Sequence, residues 1–184
     1  SELETVEERL KRLEEEIRRL LEKVDRDLDR LADEVRKKNK RSHERNKEIE
    51  DRIDKLLKDG KDDETVRRVA EELRRTLRRN EEENRRVAEE LERILRELRK
   101  VVEDIKKRLE DLLKELKDRV DKEELKKMLR KLEERVKEVT RELEDLLKKA
   151  EEKVRRVKDE LRRSNKKDED RLREVEEKLR EDSR

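Results

Sequence analysis

Cysteine, proline, tryptophan, tyrosine and phenylalanine are all absent from this sequence, and glycine, histidine and methionine occur once each. Each absence removes a class of explanation. Without Cys there are no disulfides, no thiolate metal ligands and no information about redox compartment. Without Pro, and with Gly60 alone, almost nothing interrupts a helix. Without aromatics there is no platform for stacking bases. No apolar run exceeds two residues, so neither a membrane span nor a signal peptide is expected. Charge of one sign is also missing: 60 Lys and Arg face 58 Asp and Glu, for a net +2. A nucleic-acid binder needs a basic face that displaces counterions. Here pairs such as Arg67-Arg68, Arg74-Arg75 and Arg78-Arg79 alternate with Glu71-Glu72 and Glu81-Glu82-Glu83, the pattern of a solvated, ion-paired helix surface.

What remains is strongly ordered. Ala, Glu, Lys, Leu and Arg supply 131 of the 184 residues. With a 3.5–3.6 period, that composition reads as long helix or coiled coil rather than disorder. The first apolar seam runs Leu3, Val6, Leu10, Leu13, Ile17, Leu20, Val24, Leu28, Leu31 and Val35, then resumes at Ile49, Ile53 and Leu56. Its 3-and-4 spacing forms one narrow stripe. "KDGKDDE" ends it, with Gly60 suited to a left-handed C-terminal position and Asp62 or Asp63 to capping the next helix. The second seam is Val66, Val69, Leu73, Leu77, Val87, Leu91, Ile94, Leu98, Val101, Ile105, Leu109, Leu112 and Leu116. A second break falls near 118–122. Asp121 and Glu124 make an acidic capping box, Val120 and Leu125 stand at hydrophobic-staple positions, and the seam loses phase. The third seam runs Leu125, Leu129, Leu132, Val136, Val139, Leu143, Leu146, Ala150, Val154, Val157, Leu161, Leu172, Val175 and Leu179.

These seams predict an all-α fold: one domain over 1–184, with helices at about 2–58, 63–118 and 122–182. Each would be roughly 85–90 Å long at 1.5 Å per residue. Short connections make successive helices antiparallel, so the expectation is a long up-down-up three-helix bundle, a coiled-coil-like rod.

All three seams have a gap: 35 to 49, 77 to 87 and 161 to 172. Folding the chain at about 60 and about 120 brings the gaps to one level. Asn46 falls beside Thr76 and Ser164-Asn165, Ser42 and His43 beside Asn80, and Asn39 near Asn84. All five Asn of the chain lie in this band, with its only His. On a surface built from charged residues, uncharged polar residues in helical phase with Leu and Val read as a buried hydrogen-bond network spanning three helices. An unpaired buried amide costs about 1–3 kcal/mol, so such a layer has to be satisfied mutually. In return it opposes wrong registers, which would strand amides against Leu.

Reactive chemistry is missing. His43 is the single candidate ligand or base, and the Glu-x-x-His spacing of bundle metal sites fails because Lys40 stands three residues before it. A network histidine is the favoured role. No phosphate-cradling glycine loop and no glycosylation sequon occur. No catalytic residue, cofactor, metal or localisation signal is assigned, and no partner is required.

In its near-equal helices, its "LLKDGKDDE" loop, its Leu/Val/Ile seams, its polar band and surface blocks such as "EERLKRLEEE", the whole chain resembles de novo designed, parametrically generated helical bundles with buried hydrogen-bond networks. That resemblance implies a structural scaffold, expected to be monomeric and without natural activity. The alternative is a designed oligomerisation module, in its sharpest form a domain-swapped homodimer with 62–183 as one helix. Natural spectrin-like repeats and lipid-binding helices are disfavoured, because both use aromatics that this chain lacks.

Overall fold

The structure is a computed structural model that describes residues 2–60, 62–119 and 123–182. Three helices account for nearly all of them: α1 (Glu2–Lys58), α2 (Asp63–Arg119) and α3 (Glu123–Asp182). Among the described residues there is no strand. The fold is an up-down-up three-helix bundle. The capping and staple roles assigned to Val120, Asp121, Glu124 and Leu125 lie outside the described residues and side chains, as does the link on which a continuous α2–α3 helix depends.

The first connection follows from its residues. Gly60 has φ of 65°, a left-handed conformation that suits a residue without Cβ. Its N–H donates to Leu57 O at 3.3 Å, and Asp59 N–H donates to Lys55 O at 2.9 Å, so two terminal carbonyls of α1 are satisfied. Asp62, not Asp63, is the cap. Its Oδ1 accepts from the Thr65 N–H at 3.3 Å and from the Thr65 hydroxyl. Asp63 and Glu64 then place negative charge in the first turn of α2, where the helix dipole favours it.

The chain gathers into two compact units, each holding a stretch of all three helices. One comprises Ser1–Leu28 with Glu92–Val154, the other Asp29–Leu91 with Arg155–Arg184. The first unit has a continuous aliphatic core. Leu10, Ile17, Val24 and Leu28 enter from α1, Leu95, Leu98, Val102, Ile105, Leu109, Leu112 and Leu116 from α2, and Leu132 to Val154 in 3-and-4 steps from α3. Fully burying one such side chain contributes about 1.5–3 kcal/mol. The second unit has a cluster of Ile49, Ile53, Val66, Val69, Ala70, Leu73, Leu77 and Val175, with Leu56, Leu57, Leu172 and Leu179 packed against it. Leu31, Val35, Leu91, Val157 and Leu161 are buried at positions further from the α1–α2 turn. Polar side chains occupy the seam between these two sets.

Two expectations are corrected. The α2 seam uses Leu95 and Val102, not Ile94 and Val101: Val102 is 0% exposed and Val101 38%. Both rows begin apolar, but they diverge when stepped by seven. Leu95, Val102, Leu109 and Leu116 stay aliphatic, whereas Ile94 and Val101 lead to Arg108 and Glu115. A helix has to keep one unbroken stripe inward, so the row that stays apolar wins.

The second correction concerns register. In the first unit Lys106 pairs with Glu144 at 3.1 Å and Lys117 with Glu133 at 3.5 Å; in the second Arg74 pairs with Glu176 at 3.2 Å. Every one of these α2–α3 pairs is symmetric about residue 125, not 120. The register of two helices is set by the interlocking of their side chains, and the connection has only to reach. The ion pairs are partly exposed and contribute about 0–1 kcal/mol each.

Candidate functional site

All the sequence-predicted polar residues lie in the second unit, on seams whose flanking positions are buried aliphatics. Asn46, Asn80 and Asn84 are 1%, 4% and 2% exposed. Asn39, Ser42, His43, Thr76, Ser164 and Asn165 are half-buried. A buried carboxylate that the sequence reading overlooked, Asp168 at 4% exposure, sits among them.

Within this polar layer two side-chain bonds join α2 to α3. Asn80 Nδ2 donates to Asp168 Oδ2 at 3.1 Å, and Asn84 Nδ2 donates to Asn165 Oδ1 at 2.8 Å. Asn165 therefore sits on Asn84, two turns from its expected level beside Thr76, as the register centred near residue 125 requires. Thr76 is not drawn into these bonds. Its hydroxyl donates to Glu72 O on its own helix at 2.9 Å, the usual way a mid-helix Thr satisfies itself. No hydrogen bond ties Ser164 to the expected partners Asn46 and Thr76.

Helix α1 joins through charged side chains. Lys38 donates to Asn84 Oδ1 at 3.4 Å and pairs with Glu83 at 2.9 Å. Two nitrogens of the Arg171 guanidinium lie 2.9 and 3.0 Å from Nδ1 and Nε2 of His43. Arg offers only donors and a neutral imidazole only one acceptor, so at most one of these contacts is a hydrogen bond. The α1 amides and one hydroxyl stay open: Asn46 Nδ2 and Oδ1, Asn39 Oδ1 and Ser42 Oγ are buried without a protein hydrogen-bond partner. Asn80 Oδ1 and Glu50 Oε1 are in the same condition.

The electrostatics follow from burial. Desolvation pushes the Asp168 carboxyl above its ordinary range, opposed by the Asn80 bond and by the charges of Arg171 and His43. Asn46 also faces this carboxyl and draws it down, in a geometry that closes no hydrogen bond. Desolvation lowers His43, helped by the positive charges of Arg171 and Lys167 and opposed by Asp168. Burial also raises Glu81, and the neighbouring Glu169 raises it further through its charge and a shared hydrogen bond.

Asp168 and Arg171 were recoverable from the seam itself. Stepping by seven from Val154 and Leu161 lands on Asp168 and then Val175, and stepping from Val157 lands on Ser164 and then Arg171. In a chain where 64% of residues are charged, residue type hides them.

A solved structure described as a "Computationally designed three helix bundle" matches this architecture. It aligns with a TM-score of 0.60 at 23% identity, over 97% of this chain and 88% of the other. The likeness is one of fold. No protein-family model matches the chain, and no curated protein does.

Among the described residues, no group of three or more His, Cys, Asp or Glu is placed to hold a metal, and no helix is long and apolar enough to cross a membrane. What the arrangement offers is directional pairing at buried seam positions.

Proposed function

We propose that this chain is a designed structural scaffold without natural biochemical activity, and that its polar layer specifies the register and topology of the three helices. The observation that carries this reading is the pair of side-chain bonds, Asn80 to Asp168 and Asn84 to Asn165, at positions where aliphatics would otherwise pack. A slip of α2 against α3 by one heptad would remove both bonds and leave a buried carboxylate facing aliphatic neighbours, which is costly. A uniform Leu/Val seam sets no comparable barrier, because the slipped state buries the same side chains. The fold likeness to a designed three-helix bundle supports the scaffold half of the proposal. On this reading the chain works as a monomer and needs no cofactor, nucleic acid, membrane or protein partner.

The test replaces the layer as a group: Asn39, Ser42, Asn46, Asn80, Asn84, Asn165 and Asp168 to Leu or Val. The parent is expected to give one species of 22.8 kDa by light scattering. The variant should resist guanidinium better, since more apolar surface is buried at about 25 cal/mol per Å², yet populate several oligomeric states. A variant that remains a single monomer with spectra as well dispersed as the parent's would show that the layer does not specify the fold. A parent of twice the mass would favour the oligomerisation module.

A further inference from the structure

Arg171 lies between two possible partners on α1. It contacts His43, 128 residues earlier in the chain, through both ring nitrogens. Glu50 stands seven residues, about two turns, beyond His43 on the same face of α1. Its Oε1 is buried and unpartnered; desolvation pushes its carboxyl above the ordinary range, and the Arg171 charge is the foremost influence opposing that.

The other unit shows that this geometry supports a closed pair. Arg135 of α3 grips Glu14 of α1 with Nε to Oε1 at 2.9 Å and Nη2 to Oε2 at 3.0 Å, across 121 residues of chain. Glu50 and Arg171 are also 121 residues apart. Each stands 36 residues beyond its counterpart, which is ten turns at 3.6 residues per turn, so the two members of each pair stand in the same helical phase. The position equivalent to His43 is Glu7, whose charge also acts on Arg135. An Arg at this place on α3 thus has two α1 positions within its influence. Arg135 takes the one 121 residues away and Arg171 the one 128 away.

We propose that Arg171 is a two-position side chain, resting on neutral His43 and crossing to Glu50 when His43 takes up a proton. An imidazolium has no acceptor, so a guanidinium against it is both unbonded and repelled. A carboxylate 121 residues away, with one oxygen already desolvated and unpartnered, is the ready alternative. The charges around each end are mixed. His43 feels Arg171, Lys167 and Asp168 from α3 and Lys47 from its own helix, while α2 presents the uncharged Asn80 to Asp168. Glu50 feels Arg171, Glu174 and Lys178 from α3 and Asp51 from its own helix. Protonation would transfer one interhelical contact along α1 without unfolding either helix. This device is independent of the scaffold reading and would hold whatever the chain is used for.

His43 is the only histidine, so its ring resonances are unambiguous. An NMR titration of the parent should show the Arg171 Nε–H resonance moving with the His43 midpoint. In Glu50→Gln the His43 midpoint should fall by about half a pH unit or more, because the guanidinium loses its second seat. In Arg171→Gln it should rise, and adding Glu50→Gln to that background should then change nothing. An Arg171 resonance indifferent to His43 titration overturns the proposal, and that measurement needs no variant. So does a Glu50→Gln shift that is absent, or equal with and without Arg171.

Discussion

Asn46 and Asn80 allow one buried hydrogen bond to be weighed against its own control. Both are almost wholly buried, at 1% and 4% exposure, on seam positions of the same unit. Asn46 has no hydrogen-bond partner for either polar atom; Asn80 lacks one for Oδ1 but donates through Nδ2 to Asp168 at 3.1 Å. Asn and Leu share their branching at Cγ, so Asn→Leu exchanges two polar atoms for two methyls in nearly the same shape. At Asn46 the change removes an amide without a hydrogen bond, whose burial costs about 1–3 kcal/mol, and adds apolar burial beside Ile49 and Ile53; its pull on the Asp168 carboxyl, also lost, ranks below those of Asn80, Arg171 and His43. Crowding by the larger methyls offsets part of this, about 1–3 kcal/mol in tight cores. The expected result is a net gain of about 1–2 kcal/mol. At Asn80 the transfer and crowding effects are similar, but a hydrogen bond to a carboxylate is lost, worth about 1.5–3 kcal/mol. Asn46→Leu should therefore exceed Asn80→Leu in stability by roughly that amount at pH 7. Guanidinium denaturation followed by circular dichroism reads the difference, provided both variants keep the parental m-value. If Asn80→Leu is as stable as Asn46→Leu, the Asn80–Asp168 bond contributes nothing and the reasoning fails.

Three further outcomes are expected. Val102→Ala should cost about 1–2.5 kcal/mol and Val101→Ala less than about 0.5 kcal/mol by the same denaturation assay; equal costs would undo the seam assignment in α2. Asp168, raised by burial, is most favourable to the fold below its ordinary value of 3.8 and loses that contribution as pH rises through its folded value, so Asp168→Asn should be more stable than the parent at pH 7, with the gap closing towards pH 4. His43, lowered by burial, has the opposite sign: its contribution is whole above 6.5 and shrinks below it, so the parent should lose stability relative to His43→Gln on acidification from pH 6.5. Denaturation midpoints across that range that run parallel in all three proteins would contradict both assignments.

How much of this was legible depends on which interactions are local. Gly60 and the aspartates after it announce the first turn, because capping and a positive φ demand particular residues within a few positions. The seams were legible because burial of a stripe imposes a period. Where two apolar residues are adjacent, as at Ile94-Leu95 and Val101-Val102, the period alone cannot choose between them; the charges at Arg108 and Glu115, further along one row, decide it. The α2–α3 register was misjudged because it rests on side chains interlocking across helices, which no local signal encodes. Asp168 escaped notice because its type is common on the surface, although its place in the α3 row between Leu161 and Val175 marks it as inward-facing. Of the polar layer, the sequence displayed its members Asn80, Asn84 and Asn165 but not the carboxylate that Asn80 serves.

The layer's asymmetry bears on what it discriminates. The two bonds its amides donate both run between α2 and α3, while the α1 amides Asn39 and Asn46 keep open polar atoms. A slip of α2 against α3 therefore forfeits bonds and strands Asp168, whereas within the layer a slip of α1 forfeits the contacts of Lys38 and His43, whose charged partners are half in solvent. Penalties for stranding a buried carboxylate are several-fold those for a solvated pair. On the proposed reading, the layer fixes α2–α3 pairing strongly and α1 weakly. Alternative states of this bundle should then be displacements of α1 while α2 and α3 keep their register, and the His43–Arg171 contact lies on the boundary where such displacements would occur.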